Sequence, residues 1–96
     1  MIINFKSKIS QDIYDGKNSR HARLVSSELH GKIVRIFDQI NAATKIETLR
    51  VPPGNRLEKL TGNLQEYWSI RINKQWRVIF KWNNGDASDV DIVDYH

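Results

Sequence analysis

The hydrophobic period changes once along this chain, and the change divides it. Up to Leu49 apolar residues recur every three or four positions, and after Gly62 they recur at every second position. Between the two regimes lies Val51-Pro52-Pro53-Gly54-Asn55. Pro53 restricts Pro52 to extended geometry, and Gly54-Asn55 is turn chemistry, so no regular element crosses this segment. Helices first and strands later make an α+β domain with an antiparallel sheet. At 96 residues the chain has room for one such domain, residues 1–96, and a thin core.

Each side of the break divides further. Ile2-Ile3-Asn4-Phe5 reads as a short strand, and Ser7 to Gly16 as one or two helical turns with Ile9 and Ile13 four apart. Val25, Leu29, Ile33, Ile36, Phe37 and Ile40 form one stripe on a 3.6-residue period, which predicts a long helix over roughly Ala22 to Ala43. Thr44, with Glu47 three residues on, has the form of a capping box for one further turn, Lys45 to Leu49. After the proline loop, strands are expected around Leu57 and over Glu66 to Ile72, Trp76 to Trp82 and Asp89 to Tyr95. Asn83-Asn84-Gly85-Asp86 is the turn between the last two.

Apolar alternation sets a register. Trp68, Ile70 and Ile72 match Trp76, Val78, Phe80 and Trp82 if 72 pairs with 76, 70 with 78 and 68 with 80, closed by Asn73-Lys74-Gln75. The next hairpin is expected to pair 82 with 88, 80 with 90 and 78 with 92, placing Val90 and Ile92 on the same apolar face. The odd-numbered face is then polar. It sets Arg71 opposite Arg77, Arg77 opposite Val93 and Lys81 opposite Asp89, with Tyr67 and Tyr95 on the same side. Two arginines directly opposite repel one another, and a bound anion such as phosphate relieves that repulsion.

Charge points the same way. Residues 50–82 hold seven basic and two acidic residues, whereas residues 83–96 hold four acidic and none basic. Basic charge focused in one segment suits a polyanion. There is no cysteine, so disulfides and thiolate chemistry are excluded and the chain suits a reducing cytosol. The longest apolar runs, Met1-Ile2-Ile3 and Val78-Ile79-Phe80, are three residues long, which gives no membrane span. His21, His30 and His96 are scattered and no phosphate-cradling glycine loop exists, so neither a metal centre nor a nucleotide cofactor is expected.

Metal-free chemistry on RNA fits what is left. RNA brings its own nucleophile, the 2′-hydroxyl, and needs a base, an acid and cations on the phosphate oxygens. Arg56, Lys59, Arg71 and Arg77 can supply the cations, with Lys81 on the same polar face. Tyr67 and Tyr95 can stack a base or donate a proton, and His96 can exchange a proton near neutrality. The same residues also suit a non-catalytic nucleic-acid-binding module that uses the basic face alone, or a small partner-binding protein whose charge keeps it soluble.

The segments Arg50-Val51-Pro52-Pro53-Gly54-Asn55-Arg56-Leu57-Glu58, Tyr67-Trp68-Ser69-Ile70-Arg71-Ile72-Asn73, Gln75-Trp76-Arg77-Val78-Ile79-Phe80 and Val93-Asp94-Tyr95-His96 together resemble the HigB branch of the RelE-type toxins. The resemblance implies a RelE-like α+β fold, an N-terminal strand and helices packed on a mainly antiparallel twisted sheet. It implies the toxin of a type II toxin–antitoxin pair, a cytoplasmic, ribosome-dependent endoribonuclease that cuts mRNA and stops translation. Its partners would be a helix-turn-helix, HigA-like antitoxin, the ribosome with its mRNA and, through the antitoxin complex, operator DNA. By position, Arg77 resembles the family's phosphate-stabilising arginine, and Asp94, Tyr95 and His96 its C-terminal catalytic cluster. Glu58 and Thr61 stand where some members have histidine and lysine, so either Glu58 serves as base in place of the histidine or the site is weak. Arg56, Lys59, Tyr67, Arg71 and Lys81 are the expected RNA-binding side chains.

Overall fold

The computed structural model describes residues 1–95. Two helices, α1 (Lys8–Tyr14) and α2 (His30–Ala42), precede four strands, β1 (Glu58–Lys59), β2 (Tyr67–Arg71), β3 (Trp76–Asn83) and β4 (Asp86–Asp94). The strands form one antiparallel sheet in the order β1-β2-β3-β4. The N-terminal segment lies along the outer edge of β4 through two parallel bridges, Ile2 to Ala87 and Phe5 to Val90. It is thus a bridged edge segment rather than a full strand.

Ser7 caps α1, its Oγ accepting from the Ser10 amide at 3.2 Å. Gly16, at φ 73°, ends the turn that follows. Ser10 Oγ donates to the Val90 carbonyl at 3.2 Å and ties α1 to β4. Asp12 is buried at 1% exposure; its Oδ2 accepts from Ser19 Oγ at 2.6 Å and its Oδ1 faces Lys8 Nζ at 3.1 Å. That hydrogen bond, together with Lys8, holds the Asp12 carboxyl below the usual carboxylate range.

The long helix expected over Ala22 to Ala43 is three pieces. Ala22–Leu24 and Ser27–Leu29 are 3₁₀ turns, and only His30–Ala42 is α-helical. Ser26 and Ser27 are weak helix formers, and Ala22 and Val25 are wholly buried as an inward-turned knuckle instead of one face of a rod. The Val25 backbone is extended, and its carbonyl is met by His30 Nε2 at 2.9 Å. The Thr44 capping box does not form either: a 3₁₀ turn over Ile46–Arg50 begins after an extended Lys45 with no side-chain cap.

The apolar faces meet as expected. Ile33, Ile36, Phe37 and Ile40 of α2 share the core with Ile70, Ile72, Val78, Phe80, Val90 and Ile92. Phe5, Tyr14 and Phe37 add an aromatic cluster, with Phe37 5.2 Å from Phe5 and 6.0 Å from Tyr14 between ring centres.

The β2–β3 register is the expected one, pairing Trp68 with Phe80, Ile70 with Val78 and Arg71 with Arg77. The β3–β4 hairpin departs from expectation near its turn. Asn84 and Gly85 both have positive φ, 51° and 88°, the geometry of a two-residue type I′ turn. That turn pairs Trp82 with Ala87 and Lys81 with Ser88, instead of 82 with 88 and 81 with 89. A bulge at Asp89, φ 49°, then takes up the extra residue opposite Phe80, where the 80–90 pair was expected. Beyond it Val78 pairs with Ile92 and Arg77 with Val93, as expected. Asn4 braces the bulge, donating Nδ2 to Asp89 Oδ1 at 2.9 Å and accepting from the Asp89 amide at 3.0 Å.

The proline loop is fastened to α2. Asn55, nearly buried, donates Nδ2 to Gln39 Oε1 at 3.1 Å and to the Leu49 carbonyl at 3.1 Å. Gln39 Nε2 donates to the Val51 carbonyl at 2.6 Å. The Val51–Pro52 peptide bond is cis, and Arg56 leaves the loop in the left-handed region at φ 47°. β1 follows, with Glu58 set opposite Ser69 of β2.

Candidate RNA-cleaving face

Strand alternation sends Arg77 away from the helices, onto the face shared by Tyr67, Ser69, Arg71 and Ile79. This face is less polar than the sequence pattern suggests, since Tyr67, Ser69 and Ile79 are all buried. Arg77 lies at its centre with its side chain only 13% exposed. Its Nη1 donates to Ser69 Oγ at 3.2 Å and lies 3.8 Å from Glu58 Oε2. The Tyr95 ring covers its guanidinium, with the centroid 4.6 Å from Cζ. Glu58 reaches this position because β1 pairs it with Ser69. Arg71 sits directly opposite Arg77 with no ion pair among the described residues.

A second group occupies the far end of the same face. Lys81 lies 3.3 Å from Asp89 and 3.5 Å from Glu66. Its hydrogen bond to Asp89, with the charge of Glu66, raises the Lys81 ammonium above its ordinary value. Asp89 is held low, first by its bond to Asn4 and then by Lys81. Lys6 Nζ is 3.4 Å from Tyr67 Oη, and Lys6 and Lys81 both lie within 5.6 Å of the Tyr67 ring centre. Tyr67 is therefore a buried pedestal beneath two ammonium groups, and not the open stacking platform that the sequence suggested.

The expected site residues thus divide. Glu58, Arg71, Arg77 and Tyr95 come together, and Tyr67 and Lys81 lie further along the same face. Lys59 does not join them. It pairs with Trp68 on the opposite face, its ammonium donating to the Gln65 carbonyl and lying 5.9 Å from the Trp68 ring centre. Neighbouring residues of a strand face opposite ways, so Glu58 and Lys59 cannot both reach Arg77. Arg56 is exposed in the loop before β1. Asp94 pairs with Trp76 and accepts from Gln75 Nε2 at 3.2 Å. His96 lies outside the described residues.

Ser69 and Lys6 were not among the expected residues. A lone serine in a strand carries no pattern signal, and Lys6 arrives from the N-terminal segment, far away in sequence. Among the described residues no group of three or more His, Asp or Glu could hold a metal ion. A cleft of about 840 Å³ runs between the end of α1 and α2, lined by Ile13, Lys17, Arg23, His30 and Val34 among others, and includes none of the side chains above.

Known proteins share this plan. Toxin HigB-1 of Vibrio cholerae is 42% identical over 87 residues, which cover 91% of this chain and 90% of that protein. Endoribonuclease HigB of Proteus vulgaris is 42% identical over a shorter stretch of 41 residues, 43% of this chain and 45% of that protein. The toxin–antitoxin complex YoeB–YefM of Staphylococcus aureus holds a chain of the same fold, with a TM-score of 0.54 at 17% identity over 100% of this chain and 95% of that one. The family model for the RelE-like toxin HigB of type II toxin–antitoxin systems matches residues 3–96, the helices and all four strands included. With nearly the whole chain matched, from the N-terminal edge segment through the Arg77 face to the C-terminus, the chain belongs to the HigB-like toxins of type II toxin–antitoxin systems.

Proposed function

We propose that this toxin is a ribosome-dependent endoribonuclease that cuts mRNA and thereby stops translation, and that the Arg77 face is its active site. One observation carries the reading: Ser69 and Tyr95 hold the Arg77 guanidinium in place, and Arg71, its like-charged cross-strand neighbour, has no ion pair among the described residues. A phosphate bound by both arginines would relieve the repulsion between two like charges set opposite each other on one face.

The proposed reaction balances without a cofactor or a metal. The substrate's 2′-oxygen attacks the adjacent phosphorus and the bond to the 5′-oxygen breaks. The products are a 2′,3′-cyclic phosphate and a 5′-hydroxyl. Arg77, with Arg71, takes the charge that grows on the non-bridging oxygens, a contribution of roughly 10²–10³ in rate for one such donor. Glu58 is the proposed acceptor of the 2′-proton, since its carboxylate lies beside the guanidinium that holds the phosphate. Tyr95 and His96 are the proposed source of the proton for the leaving oxygen, with Asp94 supporting them. Arg56, Lys81 and Lys6 are proposed to hold flanking RNA. Tyr67 contributes by holding the two lysines, and Lys59 has no role on this face.

A toxin of this class has an antitoxin partner. We assign that partner the helix-turn-helix, HigA-like type, and operator DNA is reached through it. No helix among the described residues is long and apolar enough to cross a membrane. The proposed site of action is the cytoplasm, where ribosomes are.

The test is purified toxin added to ribosomes programmed with a short mRNA. The expected result is a cut transcript with a 5′-hydroxyl end and a cyclic phosphate. An uncut transcript that nonetheless blocks translation would replace the enzyme with a non-catalytic RNA binder.

A further inference from the structure

Arg77 does not stand straight out from the sheet. Its cross-strand neighbour is Arg71, and a perpendicular side chain would set the two guanidinium groups side by side. Instead it leans along the sheet to Ser69, the diagonal neighbour two residues away on β2, where Nη1 donates to Oγ at 3.2 Å. Diagonal neighbours are within reach of a long side chain. The lean also carries the guanidinium toward Glu58, which β1 sets directly opposite Ser69.

Ser69 is an unusual residue for its place. It is wholly buried in the middle of β2, between β1 and β3, where β-branched and aromatic residues pack best. A buried hydroxyl is unfavourable unless it is hydrogen-bonded, and its side-chain partner among the described residues is Arg77. Serine is also small enough for the arginine to lie over it. One of the five guanidinium N–H groups is used by Ser69 and Tyr95 covers a face. Apart from Ser69 and Glu58, the latter 3.8 Å from Nη1, no side chain among the described residues is a hydrogen-bond or ion-pair partner of the guanidinium.

We propose that Ser69 is a positioning residue for phosphate recognition: its hydroxyl draws the Arg77 guanidinium away from Arg71 and sets the angle at which Arg77 meets the scissile phosphate. This rests on the reading of Arg77 as the phosphate-binding group. Ser69 acts only through Arg77, because it is buried beneath it and presents nothing to the RNA.

Three full-length chains test this: the parent, Ser69→Ala and Ser69→Thr, which keeps the hydroxyl. Each is measured for cleavage on programmed ribosomes across a range of toxin concentrations, and for the side-chain Nη signals of Arg77 by NMR. The parent should show resolved Nη signals, the mark of a guanidinium that does not rotate freely. Ser69→Ala should merge them and lower the cleavage rate at saturation by roughly tenfold, as a misplaced catalytic group does, with the half-saturating concentration unchanged. Ser69→Thr should keep the resolved signals and most of the rate. A folded Ser69→Ala chain with the parent's rate and the parent's Nη signals overturns the role of Ser69 alone. A folded Ser69→Thr chain as slow as Ser69→Ala overturns it too. A parent chain that cuts nothing overturns the proposed function instead, and with it Ser69's part in cleavage. The Nη signals still report whether Ser69 holds the guanidinium.

Discussion

Replacing Arg77 by alanine separates stability from chemistry. The truncation leaves the buried Ser69 hydroxyl without its partner, at about 1–3 kcal/mol. It removes the stack on Tyr95, about 0.5–1 kcal/mol because that ring is 45% exposed. The pair with Glu58, which is 53% exposed, contributes about 0–1 kcal/mol. Loss of the repulsion from Arg71 offsets a few tenths of a kcal/mol, roughly the value of a like-charged cross-strand pair. The net loss is about 3 kcal/mol, which in a domain of this size lowers the thermal midpoint by roughly 12–24 °C. A small domain holds about 5–15 kcal/mol, so the variant stays almost wholly folded at 25 °C. The fall in cleavage should be far larger, roughly 10²–10³, because the interaction lost is strongest in the transition state. Arg77→Lys should recover little, since an ammonium cannot grip two phosphate oxygens as a planar fork does. The assay pairs a thermal melt by circular dichroism with cleavage on programmed ribosomes at 25 °C. A folded Arg77→Ala chain that cuts within tenfold of the parent would refute the phosphate role.

Three further outcomes are expected. Tyr95→Phe keeps the ring over Arg77 but loses the phenolic proton, so it should cut more slowly than the parent, and Tyr95→Leu, which loses both, more slowly still; a Tyr95→Phe chain that cuts at the parent's rate would take the proton role from Tyr95, read by cleavage rate. Gly85→Ala should cost about 1–2 kcal/mol by thermal melt, because φ 88° is left-handed and the added Cβ would lie 3.3 Å from the Thr44 carbonyl; an unchanged midpoint would contradict the turn assignment. Asp12 is held below the usual carboxylate range, so its stabilisation is present above the ordinary value of about 3.9 and is lost as pH falls through its lowered value. The midpoint of the parent should therefore fall more steeply below pH 4 than that of Asp12→Asn, and parallel curves would show that Asp12 is not coupled to folding.

What the sequence makes legible is what is local. The β2–β3 register follows from alternation, because a slip of one residue would turn Ile70, Val78 and Phe80 out of the core. The same alternation locates Arg71 and Arg77, and with the C-terminal strand it brings Tyr95 to them. The bulge at Asp89 is different. It depends on Asn4, 85 positions away, and on a turn that shifts the register by one. The proline loop likewise takes its position from Gln39 on α2. The helix over Ala22 to Ala43 is overdrawn because Val25 and Leu29 keep helical spacing while belonging to separate turns. In the site, Glu58 is singled out only by the family resemblance, and its place beside Arg77 comes from the pairing of β1 with β2. Lys59 misled because charge is visible in a sequence while facing is not. Ser69 is illegible for the opposite reason, since nothing in its local pattern announces a buried hydroxyl beneath an arginine.

The central claim is that Arg77 and the residues around it cut mRNA on the ribosome. The most direct test is to induce the toxin without its antitoxin and map newly formed 5′ ends across the transcriptome, beside Arg77→Ala at equal abundance. New ends within coding regions, phased with the codons and absent from the variant, are the result this account predicts. Growth arrest without new ends, or the same ends from Arg77→Ala, would contradict it.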